Sequence, residues 1–157
     1  TQICRPLIDD NLTDLIFRTQ TCDSIHRKEQ SQCGYCSSCL LRRLALLANN
    51  VDDKTEYVLT HGESKSKQLH LHFEAIKHQT KVIHKILNGD QDSNQKWYRL
   101  LNEFTVLEKK APQMSNKYEI PVNDIRKNLI DMYLDYSNEW LSVHKTILNS
   151  YPKPVSA

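Results

Sequence analysis

From residue 69 onward, apolar side chains return every three or four positions, the period of a helix with one buried face. Leu69, Phe73, Ile76, Thr80, Ile83 and Leu87 follow one another at intervals of 4, 3, 4, 3 and 4, and Gly89 stands where a C-cap is needed. A second helix is predicted from about Ser93, with Trp97, Leu101, Phe104 and Leu107 on one face. It should stop before Pro112, which has no N–H to donate and whose ring crowds the preceding turn. The third begins near Pro121. It carries Ile125, Leu129, Met132, Tyr136, Trp140, Val143 and Ile147, with Tyr133 adjacent, and extends roughly 40 Å at 1.5 Å per residue. Three amphipathic helices joined by polar loops are expected to pack as an up-down bundle.

The first third of the chain is less regular. Ile3, Leu7 and Ile8 read as the end of a strand or loop leading into 9–19, where Asp10 or Asn11 can cap a short helix. Leu12, Leu15 and Ile16 should bury one face of that helix. The run 22–32 is polar and reads as a loop, and Ser37 is the N-cap candidate of a helix with Leu40, Leu41, Leu44 and Leu47 on one side. Residues 51–65 form a polar connection, and the segment Tyr151 to Ala157 is expected to be a disordered tail. The chain begins with Thr1 rather than Met, so a fragment or a processed piece is expected.

Composition agrees with helices and excludes little else. The 157 residues include only three glycines, at 34, 62 and 89, and are 39% hydrophobic, enough for one ordinary domain or two small units. No apolar run reaches membrane length. A formal charge of +2 does not by itself point to nucleic acid, so such a partner would rest on local basic stripes alone.

Chemistry enters with the cysteines. Cys22, Cys33, Cys36 and Cys39 are spaced C-x10-C-x2-C-x2-C, and the overlapping C-x2-C pairs cannot both be disulfides because they share Cys36. One tetrahedral Zn2+, at about 2.3 Å from each sulfur, can accept all four thiolates together. Gly34, just after the second cysteine, lets the backbone turn tightly so that its N–H groups point at the sulfurs. An iron–sulfur cluster and a redox thiol group are the other readings. The bacterial ferredoxin run would need a Cys-Pro pair where Arg43 and Leu44 stand. His26 is close enough to substitute for a cysteine but reads better as a surface group, and Cys4 stands apart as a small buried side chain. Thiols arranged for metal fit a reducing compartment, so the cytoplasm is expected.

Other candidates are weaker. Arg42 and Arg43 lie one turn beyond Cys39 and can face a carboxylate or phosphate or stabilise the sulfurs; a solvated helix face is the plain alternative. Lys77, Lys81 and Lys85 line one helical face with His78 and His84 beside them, and read as a solvated stripe more readily than as a phosphate site. Tyr133, Tyr136 and Trp140 fit a core better than a base-stacking surface, and His70 and His72 are assigned no role.

The stretch TCDSIHRKEQSQCGYCSSCLLRRLALLANNVDDKTEY, with its CGxCxxCLLRR core and the D-x-T-x-Y at Asp53, Thr55 and Tyr57, resembles the carboxy-terminal part of the 7-cyano-7-deazaguanine synthase family. The resemblance covers about the first 57 residues. It implies the carboxy-terminal part of an α/β adenine nucleotide α-hydrolase-like (PP-loop) protein, which uses ATP to combine 7-carboxy-7-deazaguanine with ammonia into the nitrile precursor of queuosine. It also implies that Cys22, Cys33, Cys36 and Cys39 hold one structural zinc. The family's SGGxDS phosphate loop is absent from this sequence, so this polypeptide alone is not expected to turn over ATP; ATP would require the family's N-terminal PP-loop region as partner. Ordinary synthases end soon after the zinc region, whereas 58–150 follow here, which points to a longer relative such as the synthase-like proteins of phage-defence cassettes.

The expected organisation is therefore a zinc-binding part over 1–57, a helical bundle extension over 58–150 and the tail 151–157, mainly α throughout. Two function classes follow. The chain is part of an ATP-dependent nucleobase-modifying enzyme, or it is a zinc-stabilised helical module that docks a protein or a nucleic acid.

Overall fold

The computed structural model describes residues 5–23, 32–58 and 67–149, and the side chains of these except 67–70 and 145–149. The expectations for Ile3, Cys4, His26, most of the 22–32 loop, the 59–65 part of the connection, the side chains of Leu69 and Ile147, and the tail lie outside the described residues. Those that are described are mainly helical. Among them there are helices α1 (Arg5–Asp9), α2 (Thr13–Arg18), α3 (Ser37–Ala48), α4 (Lys67–Leu87), α5 (Ser93–Glu103), α6 (Val106–Tyr118) and α7 (Val122–Asn149). No strand is present among the described residues; a single parallel bridge joins Gln32 to Tyr57.

The chain divides into two compact units, Thr1–His78 with Glu139–Ala157, and Gln79–Asn138. The sequence-based boundary at 57/58 differs from this. Both divisions fall inside continuous helices, α4 and α7, where the apolar period runs on unbroken and gives a pattern nothing to mark.

In the first unit, residues 5–9 form α1 rather than a strand or loop, and Asn11, in the left-handed region at φ 57, turns the chain into α2. Neither Asp10 nor Asn11 caps α2: the N-cap is Leu12, without a side-chain hydrogen bond. Only Ile16 of the expected face is buried, while Leu12 and Leu15 are exposed. Helix α3 also caps differently, since Cys36 occupies the N-cap and Ser37 is the first helical residue. Its buried face holds Cys39, Leu40, Leu44 and Leu46, with Leu41 exposed. The helix stops in a Schellman arrangement: Asn50 is left-handed at φ 56, and Val51 N donates to Leu46 O at 2.9 Å. Phe73 of α4 and Trp140 of α7 bury their rings against each other, centroids 5.5 Å apart.

The second unit has a core of Ile83 and Leu87 from α4, Trp97 and Leu100 from α5, Leu107 and Ala111 from α6, and Ile125, Leu129 and Ile130 from α7. Four helical segments therefore share this core instead of the three expected. The second predicted helix is broken at Phe104, whose backbone leaves the helical region at φ −128 and ψ 69 and whose ring stacks on Tyr133 at 6.3 Å. Pro112 lies inside α6 rather than ending a helix. Positions 108 and 112 are both exposed, so water can serve the Glu108 carbonyl that a proline cannot bond. Met132, expected in the core, is exposed, because Ile130 takes the inward position.

Candidate metal centre

Three short pieces of chain bring the four thiols together. The extended segment after α2 carries Cys22, the turn 33–36 carries Cys33 and Cys36, and the first turn of α3 carries Cys39. Gly34 sits at φ 84, a conformation that a Cβ would strain, and this turn lets Cys36 N donate to Cys33 Sγ at 3.4 Å. Cys33 N likewise donates to Cys22 Sγ at 3.4 Å. Such N–H···S contacts favour the anionic form of sulfur.

The sulfurs fit a metal ion and not a pair of disulfides. All four ligand atoms lie within 4.8 Å of one another, with Cys33 to Cys39 at 3.8 Å and Cys22 to Cys36 at 4.0 Å. Sulfurs about 2.3 Å from a tetrahedral Zn2+ would be separated by about 3.8 Å, whereas a disulfide needs about 2.05 Å. The residues are 5%, 1%, 5% and 0% exposed in chain order, so the interior of the quartet is closed to water. Burial pushes the Cys33 and Cys39 thiols up from their ordinary range. Burial thus opposes ionisation of these two thiols, and a divalent cation is a partner that would make it favourable. These four cysteines form a group able to hold one metal ion.

Around them the chain is tied by polar side chains. Arg42 is buried, and its guanidinium donates through Nε to Thr55 Oγ1 at 3.2 Å, through Nη1 to Thr19 O and Oγ1, and through Nη2 to Ile16 O. It thus binds the end of α2 and the 53–57 segment to α3. Arg43 is only half-buried, its guanidinium 5.5 Å from the Tyr57 ring centroid. Tyr57 donates to Asp53 Oδ2 at 2.7 Å, and burial, reinforced by that carboxylate, pushes its hydroxyl well above the usual tyrosine range. Asp53 Oδ1 also accepts from Thr55 N at 3.1 Å.

Sequence reasoning passed over several of these groups. Gln32 is buried beside Cys33 and reaches Thr19, Thr21 and Cys39. Asp23 accepts from Ser38 Oγ at 2.5 Å, which with weaker help from Cys36 and His72 holds its carboxyl below the ordinary value. His72 Nδ1 meets Ser37 Oγ at 3.1 Å. No spacing rule reaches partners 35 residues apart, although an amide next to a cysteine in a metal knuckle is a signal worth reading. Lys77 pairs with Glu74 at 3.2 Å, and Lys81 and Lys85 are exposed on α4.

Comparison with protein-family models, with curated proteins and with solved structures finds no match for this chain. No helix among the described residues is long and apolar enough to cross a membrane.

Proposed function

We propose that the four thiols hold one structural Zn2+ and that this centre belongs to the carboxy-terminal part of a 7-cyano-7-deazaguanine synthase-like, ATP-dependent protein of the cytoplasm. The observation that carries the metal is the buried sulfur quartet at tetrahedral separations. With four protein thiolates no position is left for water or substrate, so the ion's task is architectural. It cross-links an extended segment, a turn and a helix start, and such sites supply on the order of 10 kcal/mol of apparent binding energy in small peptides.

The synthase-like part of the reading rests on the resemblance of 21–57, and one contact pattern supports it. The residues that carry the resemblance beyond the cysteines are neighbours in space: Arg42 bonds Thr55, Arg43 lies over Tyr57, and Tyr57 bonds Asp53. Residues that hold one another in place in this way form one structural unit. The proposed role of this chain in the enzyme is to shape a wall near the substrate pocket, while ATP is bound by an N-terminal PP-loop region acting as its partner; this polypeptide alone turns over no ATP.

Two measurements test the reading. Elemental analysis of the purified chain should return about one zinc per polypeptide; iron, or no metal, refutes the centre. The coding sequence before Thr1 should contain an SGGxDS loop in frame, and a different upstream domain refutes the synthase assignment while leaving the metal untouched.

A further inference from the structure

Ten residues separate Cys22 from Cys33, so the two C-x2-C steps that set Cys33, Cys36 and Cys39 cannot set the first ligand. A further contact is needed to hold Cys22 where the other three expect it. Gln32 is placed to do so. Its Nε2 donates to Thr19 O at 3.3 Å, and its Oε1 accepts from Thr21 Oγ1 at 3.0 Å, so one amide grips the extended segment that leads into Cys22. The same Oε1 accepts from the Cys39 thiol at 3.7 Å, a contact that lasts only while that sulfur carries its proton, and the next residue in the chain is Cys33. The backbone of Gln32 is fixed as well, its carbonyl accepting from Val58 N at 2.8 Å in the bridge to Tyr57.

A buried glutamine is costly unless its polar atoms are bonded, and a methionine of similar volume would fill the space without that demand. Gln32 is 4% exposed, and its amide ties the approach to the first ligand to the residue just before the second. We propose that Gln32 is a positioning residue of the metal centre, holding the approach to Cys22 against Cys33 so that the quartet is organised before the ion arrives. The proposal rests on the metal reading above and adds which side chain outside the ligands sets the affinity. Groups that orient metal ligands commonly change affinity by about 10- to 100-fold when removed.

The test uses the full chain and Co2+, whose thiolate charge-transfer and ligand-field bands report the site directly. Co2+ is titrated against a competing chelator for the unaltered protein, Gln32→Met, Thr21→Val and the double variant. Expected are a tetrahedral four-thiolate spectrum in the unaltered chain, Co2+ binding weaker by about 10- to 100-fold in Gln32→Met, and a smaller loss in Thr21→Val. In the double variant Thr21→Val should add nothing, because its hydroxyl acts through the missing amide. Unchanged affinity and spectrum in both single variants overturn the proposal, as does a Gln32→Met chain whose melting temperature falls equally with and without cobalt. If Gln32→Met does not fold, Thr21→Val decides alone: weakened binding supports the proposal and wild-type binding overturns it. An unaltered chain that takes up no cobalt overturns the metal reading itself and the proposal with it, a result distinct from a variant-specific one.

Discussion

Arg42 shows how much a single side chain can do to tie separate pieces of chain together. Its donors serve Ile16 O, Thr19 O and Oγ1, and Thr55 Oγ1, in directions that a lysine ammonium on a thinner stem cannot match. Arg42→Met leaves those buried acceptors unpaired and should lower stability by about 3 kcal/mol, read as a shift in urea midpoint at constant slope. Gly34→Ala meets a different penalty. At φ 84 a Cβ costs about 1–2 kcal/mol, and because the strained turn aims N–H groups at sulfur, metal should be lost to a chelator faster than from the unaltered chain. Of the two arginines considered as anion contacts, Arg42 has its guanidinium engaged by the protein's own acceptors, while Arg43 lies over Tyr57. Their adjacency in the sequence did not show this, since neighbouring helical positions point about 100° apart.

The helices differ in how openly the chain declared them. The span of α4, predicted over 69–87 and found as Lys67–Leu87, followed from period alone, as did the long α7. The α5–α6 break did not, because Trp97, Phe104 and Leu107 keep helical spacing across Phe104 even though the backbone turns there. The buried leucine of α5 is accordingly Leu100, with Leu101 only partly covered. Leu100→Ala should cost about 2–5 kcal/mol by opening a cavity, and Leu101→Ala clearly less, in thermal melts of the two variants. Alkali should also loosen the second unit. Burial raises Tyr136 to about 12, and Tyr133 is raised in the same sense. A tyrosine whose folded pKa exceeds the ordinary value of about 10 is neutral in both states below that value, so its contribution is intact there and lost as pH rises toward about 12. Tyr136→Phe should therefore reduce the alkaline loss of stability measured by denaturant titration across that window.

The two compact units have different sources of order, and this separates their responses to a chelator. Gln79–Asn138 is organised by an apolar core drawn from four helices, whereas in the described residues 16–23 and 32–58 the buried Leu40, Leu44 and Leu46 are joined by the sulfur quartet and the bonds of Arg42, Gln32 and Asp53. With metal withheld by a chelator, amide exchange should rise in Thr13–Arg18 and Ser37–Ala48, while Ser93–Glu103 keeps most of its protection. Equal loss in all three helices would show that the apolar unit has no stability of its own.

Local chemistry, carried in neighbouring residues, was legible without coordinates: the C-x2-C steps, the need for glycine at 34, the 3-and-4 rhythm of α4 and α7, and Cys39 on the first turn of a helix. Each is a consequence of geometry within a few bonds or one helical turn. What folding alone decided is which distant groups meet. That Cys22 closes on the others to within tetrahedral range, that Arg42 turns inward to Thr19 and Thr55, that Gln32 touches Cys39, and that Ile130 rather than Met132 enters the core all depend on packing between elements. Spacing along the chain sets which way a side chain can point; only the neighbours supplied by the fold determine what it finds there.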